Sequence, residues 1–316
     1  MTYSRVQLKT LLLLAGGQEP KRSETVYAPT LVTLLLAVII KKQRIEMTFR
    51  GRVFRVLQQL LAFLRASMAV GVRASDLRSA LKLIQPKPSP AKLVRIGGNG
   101  DGGYLVPDDL EGLVACFSPG VAESANFEIA LAEKGIRSFM ADYSVESAPV
   151  GNNLFDFEKL YLATHGEPGM FIRLDEWIAV KKQEKGDLVL QMDIEGNEWP
   201  ILADISPETL SRFRIIVLEL HGMDNLLTNP LGIEIFTSVF RKLNHQFSVI
   251  HLHANNCCGA LKYQGVEIPR VLEVTLIRND RYENSKQVFE STIPNALDVP
   301  NVPGRKELTL SRDWLG

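Results

Sequence analysis

From residue 113 onward, short runs of apolar and β-branched residues alternate with segments in which apolar residues recur at helical spacing. The continuous runs predict strands, and the amphipathic segments predict helices. The predicted strands are 113–118, 136–142, 188–194, 214–220, 247–253 and 271–278, and the predicted helices are 124–134 and 233–244. Continuous apolar runs are typical of a parallel sheet covered on both faces. The pattern therefore predicts an α/β fold with an open, doubly wound, mostly parallel sheet.

The first 85 residues have a different pattern. Apolar runs occur at 11–14 and 31–40, and the segment 49–68 places apolar residues at helical spacing with arginines largely on the other side. The run at 31–40 is shorter than the roughly 20 residues of a membrane-spanning helix, so we expect a buried or interfacial helix there. The basic amphipathic segment either binds an anionic membrane surface or packs on its own domain. A translation start at Met47 would remove residues 1–46 altogether.

Charge divides the chain near Pro86, Pro88 and Pro90. Residues 1–85 contain 14 of the 36 Lys and Arg and 4 of the 36 Asp and Glu, a formal charge of +10, which leaves −10 on residues 86–316. We therefore expect a basic, apolar helical extension at 1–85, a globular domain at 86–280 and a C-terminal tail at 281–316. Because the globular part is acidic, no nucleic-acid partner is expected.

Cysteine usage bears on the compartment. Three cysteines, Cys116, Cys257 and Cys258, are too few for a disulfide framework, and the adjacent pair lacks the C-x-x-C spacing of zinc and thioredoxin-like sites. We therefore expect a cytoplasmic protein, with peripheral membrane association through the basic extension as a further expectation.

Polar residues follow the predicted strands at their carboxyl ends, where ligands bind in open α/β sheets. Gly120 follows the first strand, and a glycine there permits close approach of the backbone to a ligand. Asp142 ends the second strand about twenty residues later, where a carboxylate can accept hydrogen bonds from a ribose diol. The chain lacks a G-x-G-x-x-G motif at this turn. A cofactor with a ribose but no pyrophosphate, such as S-adenosylmethionine, fits this pattern.

One segment resembles a known signature. Asp193-Ile194-Glu195-Gly196-Asn197-Glu198-Trp199, preceded by Ile172-Arg173-Leu174-Asp175-Glu176-Trp177, is similar to the signature of the FkbM-like family of class I S-adenosylmethionine-dependent methyltransferases. Four further segments match the same family in the same order. They are Arg95-Ile96-Gly97, Asp101-Gly102-Gly103-Tyr104, Glu219-Leu220-His221 and His251-Leu252-His253-Ala254-Asn255-Asn256. The likeness covers residues 92–278 and leaves out the N-terminal extension.

The resemblance implies a Rossmann-like class I methyltransferase fold, here with an N-terminal helical extension, and S-adenosylmethionine as the cofactor. It implies that Ser118 and Gly120 lie beside the methionine and adenosine parts, that Asp142 holds the ribose hydroxyls and that Asp193 lies near the methyl donor. Three residues of the preceding loop would close the site. These are Asp101, Gly102 and Tyr104.

Methyl transfer to an oxygen requires a base for the hydroxyl proton. His221 and His253 are the candidates, because histidine titrates near neutrality, and Glu195 completes the expected catalytic set. Either histidine could instead be structural. The expected acceptor is a hydroxyl on a small molecule or glycan, within a saccharide, glycolipid or secondary metabolite.

Two alternatives stay open. One is a non-catalytic, membrane-associated binding protein that keeps the methyltransferase fold. The other is a metal-dependent hydrolase, since carboxylates and histidines at the strand ends are suitable ligands for a divalent cation. These ligands come from separate strand ends, so a divalent cation is not favoured and no metal site is expected.

Overall fold

The computed structural model describes residues 71–182, 185–283, 285, 287–290 and 292–316, which belong to one compact unit from Ala69 to Gly316. Its strands are β1 (Leu93–Ile96), β2 (Tyr104–Pro107), β3 (Leu113–Pro119), β4 (Arg137–Ala141), β5 (Phe155–Glu158), β6 (Tyr161–Leu162), β7 (Phe171–Ile172), β8 (Asp187–Met192), β9 (Phe213–His221), β10 (Phe247–Ala254), β11 (Ala260–Tyr263), β12 (Val266–Pro269) and β13 (Val271–Arg278). Its helices are α1 (Ala74–Leu81), α2 (Asn126–Ala132), α3 (Leu174–Val180), α4 (Glu198–Asp204), α5 (Pro207–Leu210), α6 (Met223–Thr228), α7 (Pro230–Asn244), α8 (Asp280–Glu283) and α9 (Arg312–Leu315).

Seven strands form the central sheet, in the order β10-β13-β9-β8-β3-β4-β5. The five strands from β9 to β5 are parallel, whereas β13 is antiparallel to both β9 and β10. Two successive reversals give β10 the same direction as β9. The chain runs outward from β3 to β5 and then returns to β8 on the other side of β3. The gap between β3 and β8 is therefore the topological switch point of the sheet.

The predicted fold class is confirmed at this level: the protein is α/β, with a mostly parallel mixed sheet compatible with a Rossmann-like fold. All six predicted strands and both predicted helices occur at the expected places. The sequence pattern did not predict the antiparallel direction of β13. It also did not predict β5 or three two-stranded pairs, which are β1–β2, β6–β7 and β11–β12.

Buried apolar clusters cover both faces of the sheet. Leu188 and Leu190 of β8 belong to the larger cluster, which also contains residues of α1, α3, α4 and α7. Val189 belongs to a second cluster, together with Phe127 and Leu131 of α2. This alternation follows from the two-residue period of a strand. By the same alternation, polar residues that continue the Val189 series toward the carboxyl end of β8 lie on the α2 face.

The compact unit extends beyond the predicted domain limits at both ends. Leu77 and Leu81 of α1, together with Ile84, are fully buried in the larger core cluster. The predicted boundary between residues 85 and 86 therefore falls inside the unit. In the predicted tail, Trp314 is fully buried, and its indole N–H donates to the Glu267 carbonyl at 2.9 Å. The end of the chain is thus packed against the core.

Several sequence expectations concern other parts of the chain. The apolar runs at 11–14 and 31–40 and the amphipathic segment at 49–68 lie outside the described residues. Among the residues that are described, no helix combines the length and the apolar character needed to cross a membrane. Cys257 and Cys258 are joined by a disulfide, and Cys116 is a buried free thiol.

Candidate functional site

Two cavities adjoin one another at the carboxyl ends of β3, β4 and β8. The first has a volume of about 320 Å³ and lies between the β1–β2 loop and the turn from β3 to α2. The second, of about 430 Å³, lies beside the ends of β4 and β8. Four residues line both cavities: Asp101, Gly120, Ala122 and Asp193. Both volumes are within the range of small-molecule sites, and their place is the switch point of the sheet.

Gly120 connects the three strand ends that surround the cavities. Its N–H donates to the Ala141 carbonyl at 2.9 Å, and the neighbouring Pro119 carbonyl accepts from the Asp193 N–H at 3.4 Å. Gly120 has φ of +88°, and a Cβ built on it would lie 1.5 Å from the Asp193 carbonyl oxygen. The close approach that requires glycine is therefore to the protein's own backbone, although Gly120 also lines both cavities.

Asp142 lines the second cavity and holds the turn beside it. Its Oδ2 accepts from the Ala122 N–H at 2.8 Å, while Oδ1 accepts from both the N–H and the hydroxyl of Ser144, each at 2.7 Å. A carboxylate oxygen has two lone-pair positions, so Oδ2 keeps capacity for a further donor. This geometry is compatible with the predicted role on a ribose hydroxyl.

A chain of buried polar groups forms the floor of the first cavity. The Ser118 hydroxyl donates to Gln191 Oε1 at 2.6 Å and also contacts Glu128 Oε1. A hydroxyl has a single proton, so Ser118 donates to one of these two side chains at a time. Burial raises the pKa of Glu128, against the lowering effect of its hydrogen bond with Ser118. Gln191 Nε2 donates to the Tyr104 hydroxyl at 3.5 Å, and Tyr104 donates to Glu219 Oε2 at 3.1 Å.

Within this chain, Tyr104, Glu128 and Gln191 line the first cavity, whereas Ser118 lies behind them and lines neither cavity. The position of Ser118 differs from the expected direct contact with the cofactor. Its fully buried hydroxyl joins two lining side chains to one another. Ser118 therefore supports the cavity floor.

His221, at the end of β9, is oriented by Glu198 at the start of α4. Its Nδ1 lies 3.0 Å from Glu198 Oε1, which also accepts from the N–H groups of Ile194 and Gly196 at 3.1 Å each. Burial alone would raise the pKa of the fully buried Glu198, but the hydrogen bonds from His221 and Gly196 lower it. The carboxylate therefore stays ionised. It fixes the ring so that Nε2 points toward Asp193, 3.9 Å away.

The His221 ring gains a proton readily in this setting. Burial lowers its pKa, but the hydrogen bond to Glu198 and the charges of Glu198, Asp193 and Glu219 raise the value to about 9. His221 is therefore an imidazolium at neutral pH. A neutral ring that can accept a proton becomes frequent only in alkaline solution.

Asp193 and Glu219 lie beside His221 in a region of excess negative charge. Burial raises the pKa of Asp193 to about 7. The charge of His221 lowers this pKa, and repulsion from Glu195 and Asp101 raises it further. Burial and repulsion from Asp193 raise the pKa of Glu219 to about 9. Asp193, Glu219 and His221 each offer one possible metal-ligand atom, and these three atoms lie within 4.8 Å of one another. This set could hold a cation.

Glu195 projects from the loop between β8 and α4. Its side chain is 86% exposed, and its Oε2 lies 3.4 Å from His221 Nε2. The backbone of Glu195 has φ of +56°. This left-handed conformation is unfavourable for residues other than glycine. Such strain occurs often at functional sites. Glu195 thus lies beside His221 and lines the second cavity.

His253 does not join this group. It lies on β10, which β13 separates from β9, and, like His221, it is not among the residues that line the two cavities. Its Nδ1 contacts Glu273 Oε2 at 3.0 Å. Glu273 Oε1 in turn accepts from Asn301 Nδ2 at 2.6 Å, and the same amide lies 3.4 Å from Asp101 Oδ1. The structure therefore places the expected catalytic His253 in a network that supports the loop of Asp101.

The loop between β1 and β2 brings Asp101 and Gly102 to the first cavity. Arg95 organises this loop, since its guanidinium donates to the carbonyls of Gly98 and Gly100 at 2.9 Å each. Among the described residues that shape the site, four were given no site role from the sequence, although two of the four, Arg95 and Glu198, lie in the quoted motifs. The four are Arg95, Glu128, Gln191 and Glu198. Gln191 and Glu128 left a signal, because each is a polar residue on an otherwise apolar face.

No protein-family model matches this chain, and no curated protein sequence matches it. The functional conclusion therefore depends on the geometry of the site and on the motif.

Proposed function

We propose that the protein is an S-adenosylmethionine-dependent methyltransferase that acts on a hydroxyl group. The observation that carries the proposal is the pair of cavities at the switch point, which meet at Asp193. A cofactor with an amino-acid part and a nucleoside part, joined at the reacting sulfur, matches such a pair in shape. The motif that begins at Asp193 supports the same assignment.

The nucleoside part fits the second cavity. Asp142 lies there with acceptor capacity for a ribose hydroxyl. Leu160, Tyr161 and Leu162 supply apolar and aromatic surface for a base. The amino-acid part fits the first cavity, where Asp101 would attract its ammonium group.

The site does not suit a dinucleotide. Pyrophosphate sites use several glycines and free backbone N–H groups. Here the N–H of Gly120 is already bonded to the Ala141 carbonyl. Within the described chain, neither set of lining residues contains a lysine or an arginine.

When bound, S-adenosylmethionine supplies the methyl group and leaves as a thioether. His221 Nε2 would take the proton from the acceptor hydroxyl, since Glu198 fixes the ring and Nε2 faces Asp193. His221 must first lose the proton that its neighbours stabilise. We therefore propose that the reaction is faster in mildly alkaline solution. The proposed acceptor class, a saccharide, glycolipid or secondary metabolite, comes from the sequence resemblance.

A second candidate function is a metal-dependent hydrolase. The observation in its favour is the set of Asp193, Glu219 and His221, whose ligand atoms are close enough for one ion. A stoichiometric, tightly bound transition metal in the purified protein would favour this candidate over the methyltransferase.

Isothermal titration of the full chain with S-adenosylmethionine and S-adenosylhomocysteine, with and without Mg²⁺, tests the proposal. We expect micromolar binding of S-adenosylmethionine without added metal. Absence of binding under both conditions would overturn the proposal and favour a non-catalytic protein. Binding that requires Mg²⁺ would instead show that the Asp193 set holds a cation during cofactor binding.

A further inference from the structure

We propose that this cleft distinguishes its ligands by charge, and binds the cationic sulfonium form of the cofactor more tightly than the neutral thioether product. The inference rests on the proposed function and goes further, because it states which feature of the cofactor the site selects. It also implies that the thioether product inhibits the protein only weakly.

The first observation is the charge of the cavity walls. The two cavities are lined by carboxyl side chains from the β1–β2 loop and from the ends of β4 and β8. These are Asp101, Asp142, Asp193 and Glu195. In the described part of the chain, no lysine or arginine lines either cavity. A ligand that enters the cleft therefore meets negative charge from several sides.

The second observation is the state of Asp193, which lies where the two cavities meet. Its Oδ1 is buried and has no hydrogen-bond partner among the described residues. His221 Nε2 lies 3.9 Å away, beyond hydrogen-bond distance, and its ring is already bound to Glu198 at 3.0 Å. Asp193 therefore has an unused acceptor atom and only a shared counter-charge.

A cation beside Asp193 would add to the counter-charge that His221 supplies from 3.9 Å and shares with Glu198. In the proposed pose, the sulfonium lies at the junction, because the amino-acid and nucleoside parts occupy the cavities on either side. S-adenosylhomocysteine has the same two parts and differs only in the methyl group and its positive charge. The ratio of the two affinities therefore isolates the contribution of charge. At a separation of about 4 Å in a partly solvated site, this contribution is worth a factor of about ten or more.

The same reasoning predicts poor binding of anionic nucleotides. AMP has the adenosine part of the cofactor, but its phosphate would face the carboxylates without a basic partner. S-adenosylhomocysteine is intermediate, because the charges of its ammonium and carboxylate groups cancel and it lacks the positive charge of the sulfonium. The cleft therefore ranks adenosine ligands by charge, with cations first and anions last.

The experiment is a competition series by isothermal titration at pH 8, with the full chain and four ligands. The ligands are S-adenosylmethionine, S-adenosylhomocysteine, AMP, and an analogue whose protonated amine replaces the sulfonium. We expect the two cationic ligands to bind about tenfold more tightly than S-adenosylhomocysteine, and AMP to bind most weakly. The variant Asp193→Asn should reduce the preference for the cations to about threefold or less.

Asp142→Asn is the matched control, because its side chain faces the ribose that all these ligands share. It should weaken both S-adenosylmethionine and S-adenosylhomocysteine, and it should lower the ratio of their affinities less than Asp193→Asn does, because Asp142 lines only the second cavity and not the junction. Equal affinities of the wild-type chain for these two ligands would overturn the inference while leaving the proposed function intact. An unchanged ratio in Asp193→Asn, with its fold verified by circular dichroism, would also overturn it. Failure of every ligand to bind would overturn both proposals.

Discussion

Gly120 and Asp193 approach so closely that no side chain fits between them. A Cβ on Gly120 would lie 1.5 Å from the Asp193 carbonyl oxygen, and Gly120 has φ of +88°. This contact joins the end of β3 to the end of β8 across the switch point. The same two residues line both cavities, so the backbone packing and the shape of the proposed site depend on one another.

Gly120→Ala should therefore destabilise the protein and distort the site. We expect a loss of about 2 kcal/mol or more in the free energy of unfolding, from the left-handed conformation and the clash together. Gly135→Ala is the matched control, since Gly135 has φ of +77° but no atom within 4 Å of its built Cβ. Urea unfolding of both variants measures the difference. Equal losses would show that the contact with Asp193 adds nothing.

Asp142→Ala should weaken the binding of S-adenosylmethionine by about 1–3 kcal/mol, because the carboxylate that faces the second cavity is removed. Ser144→Ala removes one donor to Asp142 and leaves the carboxylate in place, so its effect should be smaller. Isothermal titration of both variants measures the change. If Asp142→Ala bound S-adenosylmethionine with wild-type affinity, the adenosine part would not lie in the second cavity.

Glu198→Gln should lower the pKa of His221 from about 9 toward the ordinary value near 6.5. The variant removes the buried negative charge at 3.0 Å from Nδ1, and burial of the ring would then favour its neutral form. Proton NMR titration of the histidine rings measures the shift, with His221→Gln to assign the resonance. A His221 pKa that stays near 9 would show that Asp193 and Glu219 hold the proton without Glu198.

Stability should fall as the pH rises from about 4 to 9 through the groups around His221. Asp193, Glu219 and His221 all have raised pKa values, about 7, 9 and 9, so the folded state binds more protons than the unfolded state in this range. Their contribution to stability is full below the unfolded pKa values. It is lost as the pH passes through the folded values.

Asp193→Asn should flatten the part of this decline that lies between about pH 4 and 7. The variant removes one titrating carboxyl and part of the repulsion on Glu219. Urea unfolding at several pH values, compared with the wild-type chain, measures the slope. A variant whose decline between pH 4 and 7 is as steep as that of the wild type would contradict the assignment to Asp193.

A chain of residues 69–316 should fold, whereas residues 86–316 should be strongly destabilised. The shorter chain lacks α1 and loses Leu77, Leu81 and Ile84, which are fully buried in the core. Each such apolar side chain contributes about 2–5 kcal/mol, so the loss is comparable with the stability of a whole domain. Thermal unfolding followed by circular dichroism compares the two chains. Equal thermal unfolding midpoints of the two chains would support a domain boundary at residue 86, as predicted from the sequence.

The strands of the sheet could be predicted because their signal is local. Each of the segments 113–118, 188–194 and 214–220 is a continuous apolar run, and burial on both faces requires such a run whatever the rest of the chain does. The weakly apolar β5 lacks this signal, since it reads Phe155-Asp156-Phe157-Glu158 and is half-buried. The hairpin of β1 and β2 was missed although β2 is fully buried, because each of its strands has only 4 residues.

The site could be predicted in part. Asp142, Asp193 and Glu195 follow apolar strands directly, so their place at the carboxyl edge follows from the direction of a parallel sheet. His221 and His253 looked equivalent for the same reason, since both end a strand. The insertion of β13 between β9 and β10 separated them and turned His253 toward Glu273.

The sequence by itself determined the alternation of strands and helices, the edge of the sheet at which polar residues gather, and the motif that begins at Asp193. These follow from apolar periodicity and strand direction, which neighbouring residues along the chain encode. Only the tertiary structure decided that Glu198 orients His221, that Ser118 lies behind the cavity, and that Gly120 meets the backbone of Asp193. These contacts join segments that are distant in sequence or that turn back on themselves, and their distances depend on how the whole sheet packs.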